Sequence, residues 1–375
     1  MENKHAKLTQ LYSSWGDKLL GHLDVLNNIQ NNKTFSPVTV QLAPIEACTS
    51  MCPFCSVGAR PLKSFIPFEK IVKCLTDFRS LGAKSLELTG GGEPLLYRDR
   101  EAKKTINDII DTAYDLGFDI GIITNTNKIG KLLHKDRHDK IEWLRISLIK
   151  IDEGYDPEDY DFDGFPEEKL GFSYIIYEVK KDDQGKYIPD EFAYRNWTYE
   201  GTTPETIRKL AHLVELHPKV KFLRLAGNCL IKGNNNVVQE KYKPLVDEVD
   251  KYEKFFLKEI YDNDSPFNDG CYQGAIRPYI APNPHGGDYQ VYICTSHVLN
   301  TRTYDLQYSL GSIDDVLGIW QRMNENFQKY GYPYEVKDNS GCNWETSCKF
   351  CYYYNNNKLL HTIAQAEHMP NRNFP

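Results

Sequence analysis

Short strand-like runs separated by amphipathic helical patterns constrain this chain more than any other feature. Val38, Val40 and Leu42 alternate with Thr39 and Gln41, as in a strand. The spacing over 67–81 predicts a helix with Ile71, Leu75 and Phe78 on one face and Gly82 as its stop. "KSLELT" (84–89) is a second strand, and Ile106, Ile109, Ile110 and Ala113 stripe a helix over 100–116 that Gly117 closes. Further strands are expected at 119–124, 143–149, 171–179 and 220–226. The last follows a helix at 204–217 with Thr203 as N-cap and Pro204 at its first position. Strands alternating with helices build a parallel sheet, either open or closed as a barrel. Two stretches break the rhythm. Residues 152–169 are acidic and show no helical stripe, which reads as a solvated surface loop or as a lid contacting a cationic substrate group. Residues 180–203 are also irregular, so one helix is expected to be missing or displaced.

The 375 residues suffice for one large domain with an appendage, or for two domains. Hydrophobic residues at 41% supply a core, which argues against global disorder. A net charge of −7 without a long basic run argues against a dedicated nucleic-acid surface. There is no secretion-signal pattern at the N-terminus and no run of 18 apolar residues, so a cytoplasmic protein is expected, with no membrane partner. In a reducing compartment, ten cysteines point to metal or catalysis rather than disulfides.

Three of those cysteines crowd "EACTSMCPFCSVG" (46–58), at the C-terminal end of the first expected strand: Cys48, Cys52 and Cys55. A structural zinc ion wants four ligands, and residues 40–66 offer no histidine and no fourth cysteine. Three thiolates instead suit three irons of a [4Fe–4S] cubane and leave the fourth iron open. The next strand ends in "TGGGEPLLY" (89–97), where glycines let backbone approach a ligand closely and Glu93 can pair with an ammonium group.

The spacing Cys-x3-Cys-x2-Cys with Phe54 before the last cysteine, followed one strand–helix–strand step later by Gly91-Gly92-Glu93-Pro94, resembles the radical S-adenosylmethionine (AdoMet) superfamily. That resemblance implies a partial (β/α)6 TIM-like barrel. It also implies a [4Fe–4S] cluster with an open iron site on Cys48, Cys52 and Cys55, and AdoMet bound by Phe54 and the Gly-Gly-Glu-Pro turn. "ITNTNK" resembles the family's third strand end and "LRISLIKID" its fourth, so Asn125 is expected at the mouth and Ser147 near the AdoMet ribose. The usual Ser-Leu-Asp is here Ser147-Leu148-Ile149. Arg224, on the sixth strand, is expected to contact cofactor or substrate. Cys74 is expected in the core, whereas Cys229, just past the sixth strand, is a candidate hydrogen-atom donor.

Beyond residue 235, "APNPHGGDYQVYIC" and "YSLGSIDDVLGIWQ" followed by Cys-x2-Cys resemble the SPASM/Twitch extension of the same superfamily, an α+β unit. One auxiliary [4Fe–4S] cluster fits the count, with Cys271, Cys294, Cys348 and Cys351 as ligands, Cys342 as an alternative ligand, and a four-cysteine zinc site as the structural alternative. The expected division is an N-terminal helical segment (1–36), the partial barrel (37–235) and the auxiliary-cluster domain (236–375).

The resemblance implies reductive cleavage of AdoMet to a 5′-deoxyadenosyl radical that abstracts a substrate hydrogen atom, and a flavodoxin- or ferredoxin-type reductant as partner. The 47 residues before Cys48 are expected to be too few for a cobalamin or peptide-recognition domain. That favours oxidation or epimerisation of a small-molecule, sugar or nucleotide-like substrate, with a peptide- or protein-modifying maturase as the alternative. A non-catalytic iron–sulfur or zinc protein is the alternative of another class, and it has no use for the "GGGEP" turn.

Overall fold

The computed structural model describes residues 4–13, 16–50, 52–177, 184, 201–228, 243–258, 271–283, 285–286, 288–299, 304, 306–331, 333–334 and 353–366. Its framework is a ten-stranded sheet. Six strands, β1 (Thr39–Leu42), β2 (Ser85–Leu88), β3 (Asp119–Thr124), β4 (Trp143–Ser147), β5 (Leu170–Ile176) and β6 (Leu223–Gly227), lie side by side in chain order, all parallel. β7 (Phe255–Leu257) extends the row beyond β6. At the other side β8 (Tyr279–Pro282) pairs parallel with β1, then β9 (Tyr289–Tyr292) and β10 (Ser309–Ser312) continue antiparallel. The sheet thus takes strands from both sides of the expected domain boundary, which itself lies outside the described residues.

Parallel strands are covered on both faces, so their side chains alternate between two buried environments. On the outer face Val40, Leu86, Ile120, Ile122, Leu144 and Ile146 are almost fully buried. They lie under α2 (Phe68–Ser80), α3 (Ile106–Asp115) and α4 (Pro204–Leu216), numbered after the N-terminal α1 (Lys4–Tyr12). α2 buries Ile71, Cys74, Leu75 and Phe78, as its spacing predicts. α3 begins later than the sequence suggests, at Ile106. Thr105 there exchanges a capping box with Asp108, and residues 98–105 are taken up by a two-stranded ribbon. Thr203 caps α4, with Pro204 at its first position.

The acidic segment after β4 is more than a solvated loop. Its only helical pieces are 3₁₀ turns, Leu148–Ile151, Pro157–Asp159 and Glu167–Lys169, yet Tyr160, Phe162 and Phe165 are buried. Phe162 packs on Phe172 of β5 and on His217. Aromatics on irregular backbone thus cover the sheet where a helix would otherwise lie, which no 3.6-residue periodicity can signal. In the C-terminal part, α5 (Val316–Tyr330) sets Trp320 edge-on against Phe78 of α2, and α6 (Tyr354–Ala364) follows. Among the described residues no helix is long and apolar enough to cross a membrane.

Candidate active site

Ligand sites of parallel α/β sheets gather at the C-terminal ends of the strands. There the chain leaves β1 as a loop folded back on itself, with the Glu46 amide donating to the Ser64 carbonyl and that of Ile66 to Pro44. This loop carries Cys48, Cys52 and Cys55, all partly buried, and a turn joins the Cys55 amide to the Cys52 carbonyl at 3.0 Å. Arg60 buttresses it from inside: Nε donates to the Glu46 carbonyl (2.9 Å), and Nη1 donates to the Val57 carbonyl (3.1 Å) and to Cys55 Sγ (3.3 Å).

The glycine turn after β2 is pressed onto the same loop. The Gly92 amide donates to the Ile45 carbonyl at 3.0 Å and that of Glu93 to Ala47 at 2.8 Å. No side chain fits between: a Cβ on Gly91 would overlap the Glu46 carboxylate, and one on Gly92 the Ala47 carbonyl. Gly91 moreover has φ +54°, which favours glycine. Pro94 is buried and opens a 3₁₀ turn.

Glu93 faces inward. Its carboxylate accepts from the Leu95 amide (3.0 Å), Thr124 Oγ1 (2.6 Å) and the Asn125 amide (2.6 Å), so it ties the end of β2 to the end of β3. Burial pushes its carboxyl up, against the pull of these three donors. Two of these donors share Oε1 and one reaches Oε2, so the carboxylate keeps acceptor capacity on Oε2 beyond the protein's own groups. Asn125 completes the link, donating from Nδ2 to Cys48 Sγ at 3.1 Å and accepting from Thr49 Oγ1 at 3.3 Å. Cysteine loop, glycine turn and third strand end therefore form one hydrogen-bonded unit.

Burial opposes ionisation of two of the loop thiols. Burial pushes the Cys52 thiol well up, and its neighbours Cys55 and Cys48 push it further. Burial also raises Cys48. Thiols so placed become thiolates only when a positive centre neutralises them, and N–H donors from Asn125 and Arg60 already point at two of the sulfurs. Among the described residues no three His, Cys, Asp or Glu side chains converge on a single metal ion. A cubane spreads its thiolates over separate irons, and three cysteines on one loop fit that demand.

The remaining expected residues are spread more widely. Phe54 packs its ring 5.2 Å from Tyr177, just beyond β5. Ser147 is the last residue of β4, in register with Ser173. Arg224 lies deeper, lining a cavity inside the sheet. Cys271 and Cys294 are both buried, and Cys55 packs in the same apolar cluster as Cys294. Cys229, Cys342, Cys348 and Cys351 lie outside the described residues.

Sequence reasoning passed over Glu46 and Arg60, two residues before and five after the cysteine trio, although charge so close to clustered thiols is a usable signal. Glu46 is fully buried, its Oε1 accepting from Tyr304 at 2.8 Å, and burial pushes its carboxyl up to about 8. Lys150, a turn beyond Ser147, is also buried and pairs with Glu153 at 2.5 Å.

The fold and site define a parallel α/β protein with a three-cysteine loop at the mouth of its sheet. The structure is similar to SuiB of Streptococcus suis bound to S-adenosylmethionine, 14% identical with a TM-score of 0.49 over 98% of this chain and 84% of that one. It also matches anSMEcpe with bound AdoMet and Cp18Cys peptide (15%, TM-score 0.40, 88% of this chain and 97% of that one). A third match is BtrN in complex with AdoMet and 2-DOIA (13%, TM-score 0.36, 79% and 87%). No protein-family model and no curated protein matches the sequence.

Proposed function

We propose that the chain is a radical AdoMet enzyme, binding a [4Fe–4S] cluster through Cys48, Cys52 and Cys55 and AdoMet beside it, and removing a hydrogen atom from its substrate. The observation that carries this reading is the unit joining the cysteine loop to the "GGGEP" turn and Asn125. Bound there, the cluster and AdoMet supply a 5′-deoxyadenosyl radical. The chain's own part is to hold three thiolates, hydrogen-bond two of them from Asn125 and Arg60, and let the glycine turn pack directly against the cysteine loop. The reaction we favour is oxidation or epimerisation of a small molecule, sugar or nucleotide-like substrate, with electrons from a flavodoxin- or ferredoxin-type protein. Cys271 and Cys294, together with cysteines beyond residue 341, would hold an auxiliary cluster.

The test is anaerobic reconstitution with iron and sulfide, an iron count, then dithionite and AdoMet. We expect about eight irons per chain and release of 5′-deoxyadenosine, with Cys48→Ala losing about four irons and all product. Absence of AdoMet binding by iron-loaded protein, or a Cys48→Ala variant that keeps both iron and product, overturns the reading.

A further inference from the structure

The interior of a closed β/α barrel is normally filled by branched apolar side chains. Here the inner face carries charge. Gln41 of β1, Glu87 of β2, Arg145 of β4, Arg224 of β6 and Arg277, just before β8, all line one cavity of about 720 Å³. Trp143 and Phe222 line its lower part, beside the exposed Asp119, Glu142 and Lys221. Gly121 and Gly171 leave room for these rings, and Tyr12 of α1 stacks on Phe222 at 4.3 Å. Its upper wall includes Thr89 and Gly90, at the turn pressed against the cysteine loop.

The charges inside do not balance. Glu87 is committed: Gln41 Nε2 donates to Oε1 at 3.1 Å, and Arg277 Nη2 pairs with Oε2. Burial works to raise Glu87, yet Arg277 and Arg145 outweigh it and hold the carboxyl below its ordinary value. Three guanidiniums thus share the Glu87 carboxylate; Asp119 and Glu142, with Lys18, Lys169, Lys221 and Lys258, also line the cavity and keep cations in excess. The Nε atoms of Arg145 and Arg224 have no hydrogen-bond partner among the described residues. Burial, and after it Arg145, drives Arg224 well below its ordinary value, with Glu87 as the opposing charge. Like-charged guanidiniums gathered on one cavity wall repel each other unless an anion joins them, and the planar fork of arginine matches a carboxylate or phosphate.

We propose that this cavity receives an oxyanion group of the substrate, a carboxylate or a phosphate, bound by Arg145 and Arg224. The assignment to a substrate rests on the radical AdoMet reading; the anion site itself does not. Arg145 lies two residues and Arg224 three before the ends of their strands, roughly 7–10 Å below the mouth where the cysteine loop sits. A substrate anchored at that depth presents its other end to the mouth. In a chain of net charge −7, an internal cationic pocket also gives selectivity for anionic molecules of small size.

The test uses the full chain without AdoMet or reductant, so that failure of the radical chemistry cannot mask the result. Inorganic phosphate and succinate are titrated by calorimetry, with chloride at equal ionic strength as control. Saturable binding of phosphate or succinate is expected, and the tighter of the two identifies the substrate group. Arg145→Met and Arg224→Met should each weaken it at least tenfold, while Arg145→Lys and Arg224→Lys, which keep fold and charge, retain part of it. The proposal is overturned if neither anion binds saturably, or if affinity is unchanged in the Met variants. It is also overturned if AdoMet displaces the anion competitively, because the arginines would then serve the cofactor carboxylate.

Discussion

Asp152, at the end of the 3₁₀ turn after β4, offers the most quantitative test of the structure. Burial pushes its carboxyl up from the ordinary 3.8 to about 6, even though Tyr174 Oη donates to Oδ1 at 2.9 Å and to Oδ2 at 2.8 Å. Tyr177, Glu153 and Lys209 also face it, with Glu153 raising the value and Lys209 lowering it. Each pH decade is worth about 1.4 kcal/mol, so the ionised form is disfavoured in the fold by about 3 kcal/mol. Between the two values the folded protein holds a proton that the unfolded chain has lost. Asp152 therefore contributes its full stabilisation below the unfolded value and loses it as pH rises through about 6. Asp152→Asn keeps the shape and an acceptor for Tyr174 but does not titrate. The stability of the variant minus that of the native chain should rise with pH, by about 2 kcal/mol between pH 4.5 and 7.5. Urea unfolding followed by tryptophan fluorescence across that range reads this difference, in which the other acids cancel. A difference that stays flat with pH, or falls, refutes the reasoning.

Gly91→Ala forces a left-handed backbone on alanine and drives its Cβ into the buried Glu46 carboxylate, so a loss of about 2–4 kcal/mol is expected by thermal denaturation. A Gly91→Ala variant melting with the native chain would contradict the packed loop. Tyr304→Phe removes the donor to Glu46 Oε1, on a carboxyl with no hydrogen-bond partner for Oε2 among the described residues, and should cost about 1–3 kcal/mol of unfolding free energy read by urea titration; an unchanged value would contradict this contact. Thr203→Ala deletes the side-chain acceptor for the Thr206 amide and should cost about 1 kcal/mol, with Thr203→Ser retaining most of it; equal midpoints for the two would argue against the cap.

Much of the fold can be read without coordinates because it is written at short range. The six strand segments, the apolar stripes of α2 and α3 and the Thr203 cap all rest on residues a few positions apart. So does the cysteine trio. The segment after β4 escaped because its buried Tyr160, Phe162 and Phe165 sit on backbone without a repeating period. The hydrogen bonds of Glu93 escaped for another reason: two of its three donors, Thr124 and the Asn125 amide, stand at the end of β3, some thirty positions away, and a motif names the residue without saying which way it points.

The sequence by itself determined the strand–helix alternation, the three thiolates at a strand end and the glycines that let a second turn close over them, because spacing and residue type suffice for each. The tertiary structure alone decided how charge is distributed. Arg277 reaches Glu87 across 190 positions, and Tyr304 reaches Glu46 across 258. Sheet register, set by which strands become neighbours, determines which buried acids are neutralised and which arginines remain for an anion. Period-two alternation places Arg145 and Arg224 on the inner face; only the completed sheet brings them to the same cavity.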